Sequence, residues 1–158
     1  MAYATPSDWI TRTDVRRLGD LANDTGVRAT PTQLLTHARI LAVLDDAAGL
    51  IDSAIMAGGR YSPADLAALG TNSLALLVRL NCDLAYGMLL EAREYTQAEA
   101  ASMSPGYARG LMLLTKLREG EWIFVTDGAI EAGLPTTAEL SADIQLITDK
   151  AHRYFGVL

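Results

Sequence analysis

The pattern of hydrophobic and polar positions predicts a mainly α protein with two long helices. Thr30, Pro31 and Gln33 form a capping box with proline at the first helical position. A continuous apolar stripe follows at spacings of three and four: Leu34, His37, Leu41, Leu44, Ala48, Ile51 and Ile55. We expect one helix over 30–57, ended by Gly58-Gly59. At 1.5 Å per residue it would measure about 40 Å, enough to span an elongated bundle from end to end.

Four further helices complete the predicted core. Two short helices begin at Thr5 and Thr13, each with a polar capping residue. The second long helix opens at Thr71 or Asn72 and fades after Glu91. The last helix of this core begins at Ser104-Pro105 and ends at Gly120.

The periodicity changes to two after Gly120. Trp122 and Phe124 alternate with Ile123 and Val125, and Asp127-Gly128 is a hairpin signal. We therefore predict a small C-terminal β-hairpin over 121–134, following a helical core over 1–120. Residues 135–158 are predicted to form a C-terminal arm or helix for docking, although 144–147 could equally be extended.

Composition narrows the class of protein. The 158 residues suit one domain, and the single cysteine excludes an intramolecular disulfide and a multi-cysteine zinc site. The net charge of −6 argues against a protein that binds nucleic acid through general electrostatic attraction. No apolar run approaches the ~20 residues of a membrane helix, and the first residues lack a secretory pattern. We expect a soluble, acidic chain made in the cytosol, with no membrane partner.

Catalytic groups are weakly indicated. Asp45, Asp46 and Asp52 share one predicted helix, but no histidine lies three or four residues away, as a di-metal helical bundle would need. His37 falls on the apolar stripe, and Cys82 has no evident base. No glycine motif for phosphate binding occurs. We expect no catalytic residues, no metal and no cofactor, and a small helical enzyme stays the weakest alternative.

The basic residues and the apolar surface point to protein contacts. Arg12, Arg16, Arg17 and Arg28 form the only basic cluster, interspersed with aspartates, so a direct DNA reader is not indicated. A long helix, an aromatic hairpin and an apolar tail leave surplus apolar surface. This suggests that each subunit buries such surface against its neighbours. The alternative is that hairpin and tail pack on their own bundle.

Four segments together resemble a known family. They are Tyr3-Ala4-Thr5-Pro6-Ser7-Asp8 with Ile10 and Arg12, the acidic-alanine helix Asp45–Asp52 running to Gly59-Arg60-Tyr61, Leu77 to Cys82-Asp83-Leu84-Ala85-Tyr86, and Leu117-Arg118-Glu119-Gly120. In this order they resemble the Mu-like group of bacteriophage head–tail connector (adaptor) proteins, over roughly residues 3–125. The family's usual Arg-Phe-Gly is missing after Arg12, and the segment 62–73 is polar where the family often has a loop rich in leucine and proline. Residues 129–158 have no counterpart.

The resemblance implies a structural virion protein at the head–tail interface, made in the cytoplasm of a bacterial host. It implies a homo-oligomeric ring, expected to be a dodecamer, beneath the phage portal protein. Its C-terminal arm would dock onto the portal, and its other end would receive a stopper or tail completion protein. Packaged double-stranded DNA would pass through the lumen without sequence-specific binding, because an acidic wall repels phosphate. A stopper or tail completion protein is the alternative function; the helical pattern favours the adaptor, since stoppers are expected to be β-rich.

Two sets of contact residues follow from this interpretation. Arg153, Tyr154, Phe155 and Leu158 are the predicted portal-docking residues, because aromatic and arginine side chains dominate interface energies. Trp122 and Phe124 are predicted to make inter-subunit or tail-facing contacts. For each set the alternative is ordinary packing within one chain.

Overall fold

The computed structural model describes residues 2–23, 26–121 and 123–124. Helices make up 72% of this part of the chain and it contains no strand, so the predicted mainly α class is confirmed. The helices are α1 (Pro6–Arg12), α2 (Val15–Ala22), α3 (Pro31–Leu34), α4 (Ala38–Gly58), α5 (Pro63–Ala67), α6 (Thr71–Glu91), α7 (Gln97–Met103) and α8 (Pro105–Arg118).

Local capping sets where four of these helices begin. Thr5, Thr30, Ser62 and Thr96 each form a capping box, in which the cap side chain accepts from the third helical N–H and the third side chain accepts in return. The predicted starts at Thr5 and Thr30 are confirmed. Helix α7 was not predicted, although Thr96 and Glu99 carry its signal.

The single long helix predicted over 30–57 is wrong: the chain forms α3 and α4, separated by three residues. His37 has an extended backbone, with φ −68° and ψ 121°. Leu34 and Ile40 are both fully buried. The extended backbone at His37 ends the first helical turn and makes His37 the N-cap of α4. Helix α4 has 21 residues and is therefore about 31 Å long.

Helices α4, α6 and α8 pack on one another and form the centre of the fold. The C-terminal ends of α4 and α8 meet, because the backbone of Gly58 lies against Leu117. Helix α6 runs in the opposite direction: its Gly87 lies against Tyr107 at the start of α8, and its Leu80 and Leu84 lie against Gly110. Helix α1 packs on α4 and α6, and α7 packs on α6 and α8.

Helix α6 is the most enclosed element of this bundle. Its buried residues include Leu77, Leu80, Leu84 and Leu89. Among the described residues it is the one helix long and apolar enough to cross a membrane. Its most apolar stretch of 18 residues has a mean hydropathy of 1.4, and 61% of that stretch is buried inside the protein. Its central position accounts for its apolar composition.

The predicted β-hairpin is not supported where the chain is described. Residues 121, 123 and 124 are not in a strand. The backbone N–H groups of Ile123 and Phe124 both donate to the Tyr61 hydroxyl, instead of to a partner strand. Trp122, the rest of the hairpin and the arm over 135–158 lie outside the described residues.

Candidate functional site

The N-terminal segment is held to both long helices by buried polar contacts. The backbone N–H of Ala4 donates to Asn81 Oδ1 at 2.9 Å, and Asn81 Nδ2 donates to the Leu44 carbonyl at 3.0 Å. Asn81 is fully buried, so its amide gives the buried Ala4 N–H a partner and adds a second bond to the Leu44 carbonyl, which also accepts within α4. Tyr3 donates its hydroxyl hydrogen to Asp52, and burial together with this bond raises the pKa of Tyr3. We call these contacts the N-terminal junction.

A second junction joins the ends of α4 and α8. A Cβ on Gly58 would lie 1.9 Å from the Leu117 carbonyl oxygen, so only glycine allows this approach. Gly120 has φ +72°, the left-handed conformation that glycine adopts at helix ends, and packs against Gly58. We call this contact, with the Tyr61 contacts below, the C-terminal junction.

Tyr61 fixes the last described residues. Its hydroxyl accepts from the N–H of Ile123 at 2.6 Å and of Phe124 at 2.8 Å, and donates to the Phe124 carbonyl at 3.2 Å. The rings of Tyr61 and Phe124 have centroids 5.6 Å apart. Phe124 is 1% exposed. It therefore packs inside its own chain, which is the alternative that the sequence left open for this predicted inter-subunit contact.

The two junctions unite the four segments that carry the family resemblance. Tyr3 and Ala4 belong to the first, Asp52 and Tyr61 to the second, and Leu117 and Gly120 to the fourth. Asn81 lies within the third, at a position that its motif leaves open. Residues of the four segments are therefore in contact within one helical core. The predicted portal-docking residues Arg153, Tyr154, Phe155 and Leu158 lie outside the described residues, as does Trp122.

A positively charged recess opens elsewhere on the bundle. Arg12, Arg17, Arg79 and Arg109 line a recess of about 340 Å³ between the α1–α2 corner, α6 and the start of α8. We call it the arginine cleft. Its carboxylates are Asp14 and Asp83, so four guanidinium groups face two carboxylates.

Asp83 organises one wall of the arginine cleft. Its Oδ2 lies 3.3 Å from Arg109 Nη2 and 3.7 Å from Arg79 Nε. The carboxylate packs against the backbone at Gly106, where a Cβ would lie 2.6 Å from Oδ1. Gly106 is in the first turn of α8, where the helix dipole also favours a negative group.

The basic cluster expected from the sequence is divided in the structure. Arg12 and Arg17 enter the arginine cleft, whereas Arg28 pairs with Asp20 at 2.7 and 3.0 Å and Arg16 lines another recess. Sequence reasoning missed the contribution of Arg79 and Arg109. They come from helices distant in sequence, and no local spacing signals that they converge with Arg12.

The other candidate chemical groups do not form a centre. Cys82 is 2% exposed, and burial raises the pKa of its thiol to about 12. His37 Nδ1 is buried, with no hydrogen-bond partner in the described part of the chain. Asp45 and Asp46 are exposed, while Asp52 contacts Tyr3. Residues 2–23, 26–121 and 123–124 contain no group of three or more histidine, cysteine or acidic side chains placed to hold a metal ion.

Comparisons with protein-family models, with curated proteins and with solved structures found no match to this chain.

Proposed function

We propose that this chain is the subunit of a ring adaptor between the portal and the tail or neck of a tailed bacteriophage. The observation that carries the proposal is the meeting of the four resembling segments at the two junctions. Here Tyr3 contacts Asp52 across 49 residues, and Ala4 contacts Asn81 across 77.

The assembly that we propose is a dodecameric ring beneath the portal protein, in the virion. Residues near the C-terminus, among them Arg153, Tyr154, Phe155 and Leu158, dock onto the portal. The opposite end of the ring receives a stopper or tail completion protein. Double-stranded DNA passes through the lumen, and the net charge of −6 supports this role because like charge keeps the phosphates from adhering.

The test is the mass of the complex formed with the portal protein of the same phage. Full-length protein and a form truncated after Leu134 are mixed with the portal and measured by light scattering and native mass spectrometry. We expect the full-length chain to add a ring to the portal and the truncated form not to bind. Far-ultraviolet circular dichroism of both forms establishes that the helical core remains folded after truncation.

Three results would contradict parts of the proposal. A full-length chain that stays monomeric with the portal overturns the adaptor function. Binding by the truncated form overturns the docking role of the C-terminal residues. Binding to an already assembled portal–adaptor complex, but not to the portal alone, identifies a stopper or tail completion protein instead.

A further inference from the structure

The arginine cleft has more positive charge than its own carboxylates neutralise. Its four guanidinium groups and two carboxylates leave an excess of two positive charges, in a chain whose net charge is −6. Asp83 lies within ion-pair distance of Arg79 and Arg109. Arg12 and Arg17 have no carboxylate within that distance among the described residues. A recess that holds several like charges concentrates their field and attracts an anionic group.

Two carboxylates close to Arg12 and Arg17 along the chain are engaged at helix starts. Asp14 accepts from the N–H of Arg16 at 2.9 Å, as the N-cap of α2. Asp8 accepts from the N–H and the hydroxyl of Thr5; these bonds, and to a lesser extent Arg12, lower the pKa of Asp8. The guanidinium groups of Arg12 and Arg17 are therefore left as donors for another molecule.

Tyr86 of α6 adds an unpartnered hydroxyl to the cleft. This tyrosine lines the recess and is 9% exposed. Among the described residues its hydroxyl has no hydrogen-bond partner. Burial raises the pKa of Tyr86, and the charges of Arg17 and Asp14 also act on it, which places the hydroxyl on the side of the cleft that those two residues line. Because polar groups buried to this degree normally have a partner, the O–H is available to a bound ligand.

The donors of the cleft come from three parts of the fold. Arg12, Thr13 and Arg17 belong to the α1–α2 corner, Tyr86 belongs to α6, and Arg109 belongs to the start of α8. A tetrahedral oxyanion has acceptor oxygens that point in several directions, whereas a carboxylate has two oxygens in one plane. Arginine is well suited to phosphate, and a phosphate monoester carries a charge of about −2 at pH 7, equal and opposite to the excess charge of the cleft.

We propose that the arginine cleft is a binding site for a phosphomonoester group, which Arg12, Arg17 and the Tyr86 hydroxyl hold. The group is either free, as phosphate or a mononucleotide, or the terminal phosphate of a DNA strand. The recess of about 340 Å³ is small for a ligand pocket, so it takes the phosphate and little else. The inference does not depend on the proposed function, because the whole site lies within one copy of the chain.

The internal phosphates of duplex DNA suit the cleft less well than a monoester does. Each internal phosphodiester carries one negative charge, whereas the excess charge of the cleft is two. Asp14 and Asp83 lie inside the cleft and would repel a polymer that carries a charge at every phosphate.

Binding of inorganic phosphate and of adenosine 5′-monophosphate to the full-length protein tests the site. Isothermal titration calorimetry gives the dissociation constants, with chloride keeping the ionic strength constant. Arg12→Ala with Arg17→Ala removes the two unpaired guanidinium groups. Arg16→Ala with Arg118→Ala is the matched control, because both arginines are exposed and outside the cleft and Arg16 is adjacent to Arg17.

A second pair of variants tests the hydroxyl alone. Tyr86→Phe keeps the buried ring and removes only the oxygen, and Tyr95→Phe is the control at a tyrosine that is 40% exposed. Because the Tyr86 hydroxyl has no partner in the free protein, Tyr86→Phe should leave the thermal midpoint without ligand unchanged or higher. A loss of binding with no loss of stability separates a role in the site from a structural role.

We expect both ligands to bind the wild type. The double arginine variant should bind them at least about tenfold more weakly, since two charged hydrogen bonds are lost. Tyr86→Phe should weaken binding about tenfold, because one hydrogen bond to a charged group is lost. Both control variants should bind as the wild type does.

The source of the phosphate is found with a short DNA duplex, with and without 5′-terminal phosphates. If the phosphorylated duplex binds more tightly than adenosine 5′-monophosphate and loses this binding in the double arginine variant, the site holds a strand end. If the mononucleotide binds more tightly, the site holds a free phosphate compound. Both results support a phosphomonoester site.

Other outcomes overturn the inference. If neither phosphate nor the mononucleotide binds the wild type, or if the control arginine variant loses binding equally, the cleft is not a phosphate site. Succinate that binds as tightly as phosphate would show that the cleft takes carboxylates. Equal binding of the duplex with and without terminal phosphates, lost in the double arginine variant, would show that it takes the DNA backbone. None of these measurements includes the portal, so the proposed function stands or falls separately.

Discussion

The backbone N–H of Ala4 and the side-chain oxygen of Asn81 form a 2.9 Å hydrogen bond across 77 residues of chain. Both residues are buried, and the same amide also donates to Leu44. One polar side chain in the centre of an apolar bundle therefore joins the N-terminal segment, α4 and α6.

Asn81→Ala should destabilise the protein by about 1–3 kcal/mol, because it leaves the buried Ala4 N–H without a partner and removes a second bond from the Leu44 carbonyl, which keeps its bond within α4. Asn72→Ala on the exposed first turn of α6 is the control and should change stability by less than about 0.5 kcal/mol. Urea unfolding followed by circular dichroism measures both. Equal effects of the two substitutions would show that the Asn81 bonds contribute nothing.

Two glycines of α4 should respond to alanine with opposite signs. Gly58→Ala places a Cβ 1.9 Å from the Leu117 carbonyl and should cost about 1–3 kcal/mol, because backbone must move. A Cβ on Gly49 would meet nothing within 4 Å, so Gly49→Ala should stabilise the helix by up to about 1 kcal/mol. Thermal midpoints of the two variants check the signs, and a stabilising Gly58→Ala would refute the close contact.

Tyr61→Phe should loosen the last described residues without unfolding the bundle. The hydroxyl that accepts from Ile123 and Phe124 is lost, which we expect to cost about 1–2 kcal/mol. Hydrogen exchange should show faster exchange at those two amides. Tyr95→Phe, at a tyrosine that is 40% exposed, is the control. Unchanged exchange at Ile123 and Phe124 would mean that the hydroxyl does not hold them.

Cys82 should make the protein less stable in alkali. Burial raises the pKa of its thiol from 9.0 to about 12, so above pH 9 the unfolded chain loses a proton that the folded chain keeps. Stability is then fully present below pH 9 and falls as the pH rises toward 12. Between pH 8 and 10 the loss due to this group should be about 1 kcal/mol.

Cys82→Ala isolates this effect, because its packing cost is the same at each pH and cancels when one variant is compared across the range. The variant should lose about 1 kcal/mol less than the wild type between pH 8 and 10 in urea unfolding. Parallel losses in the two proteins would show that the thiol is not responsible.

Most of the helix boundaries could be predicted from local signals in the sequence. Thr5 and Thr30 cap the helices that follow them directly, and Gly120 has the positive φ that ends a helix. Such effects involve only a few neighbouring residues and can be recognised without knowing the fold. The break before α4 has no such local signal, because its N-cap His37 makes no side-chain capping bond and lies on the same apolar stripe as the helical residues around it.

The candidate site was less predictable for the same reason. Arg79 and Arg109 are 30 residues apart and ordinary on their own helices; only the packing of α6 on α8 brings them to one recess. Phe124 illustrates the converse case, since an alternating aromatic pattern suggested an exposed contact and the fold encloses the ring.

The hydrogen bonds of Tyr61 with Ile123 and Phe124 also determine at which end of the bundle the last described residues lie. Both residues are anchored beside the pole at which α4 and α8 end. The last described residues are thus fixed at that end of the bundle. The arginine cleft lies around the start of α8, toward the other end of the same helix. The last described residues and the arginine cleft therefore lie toward opposite ends of α8.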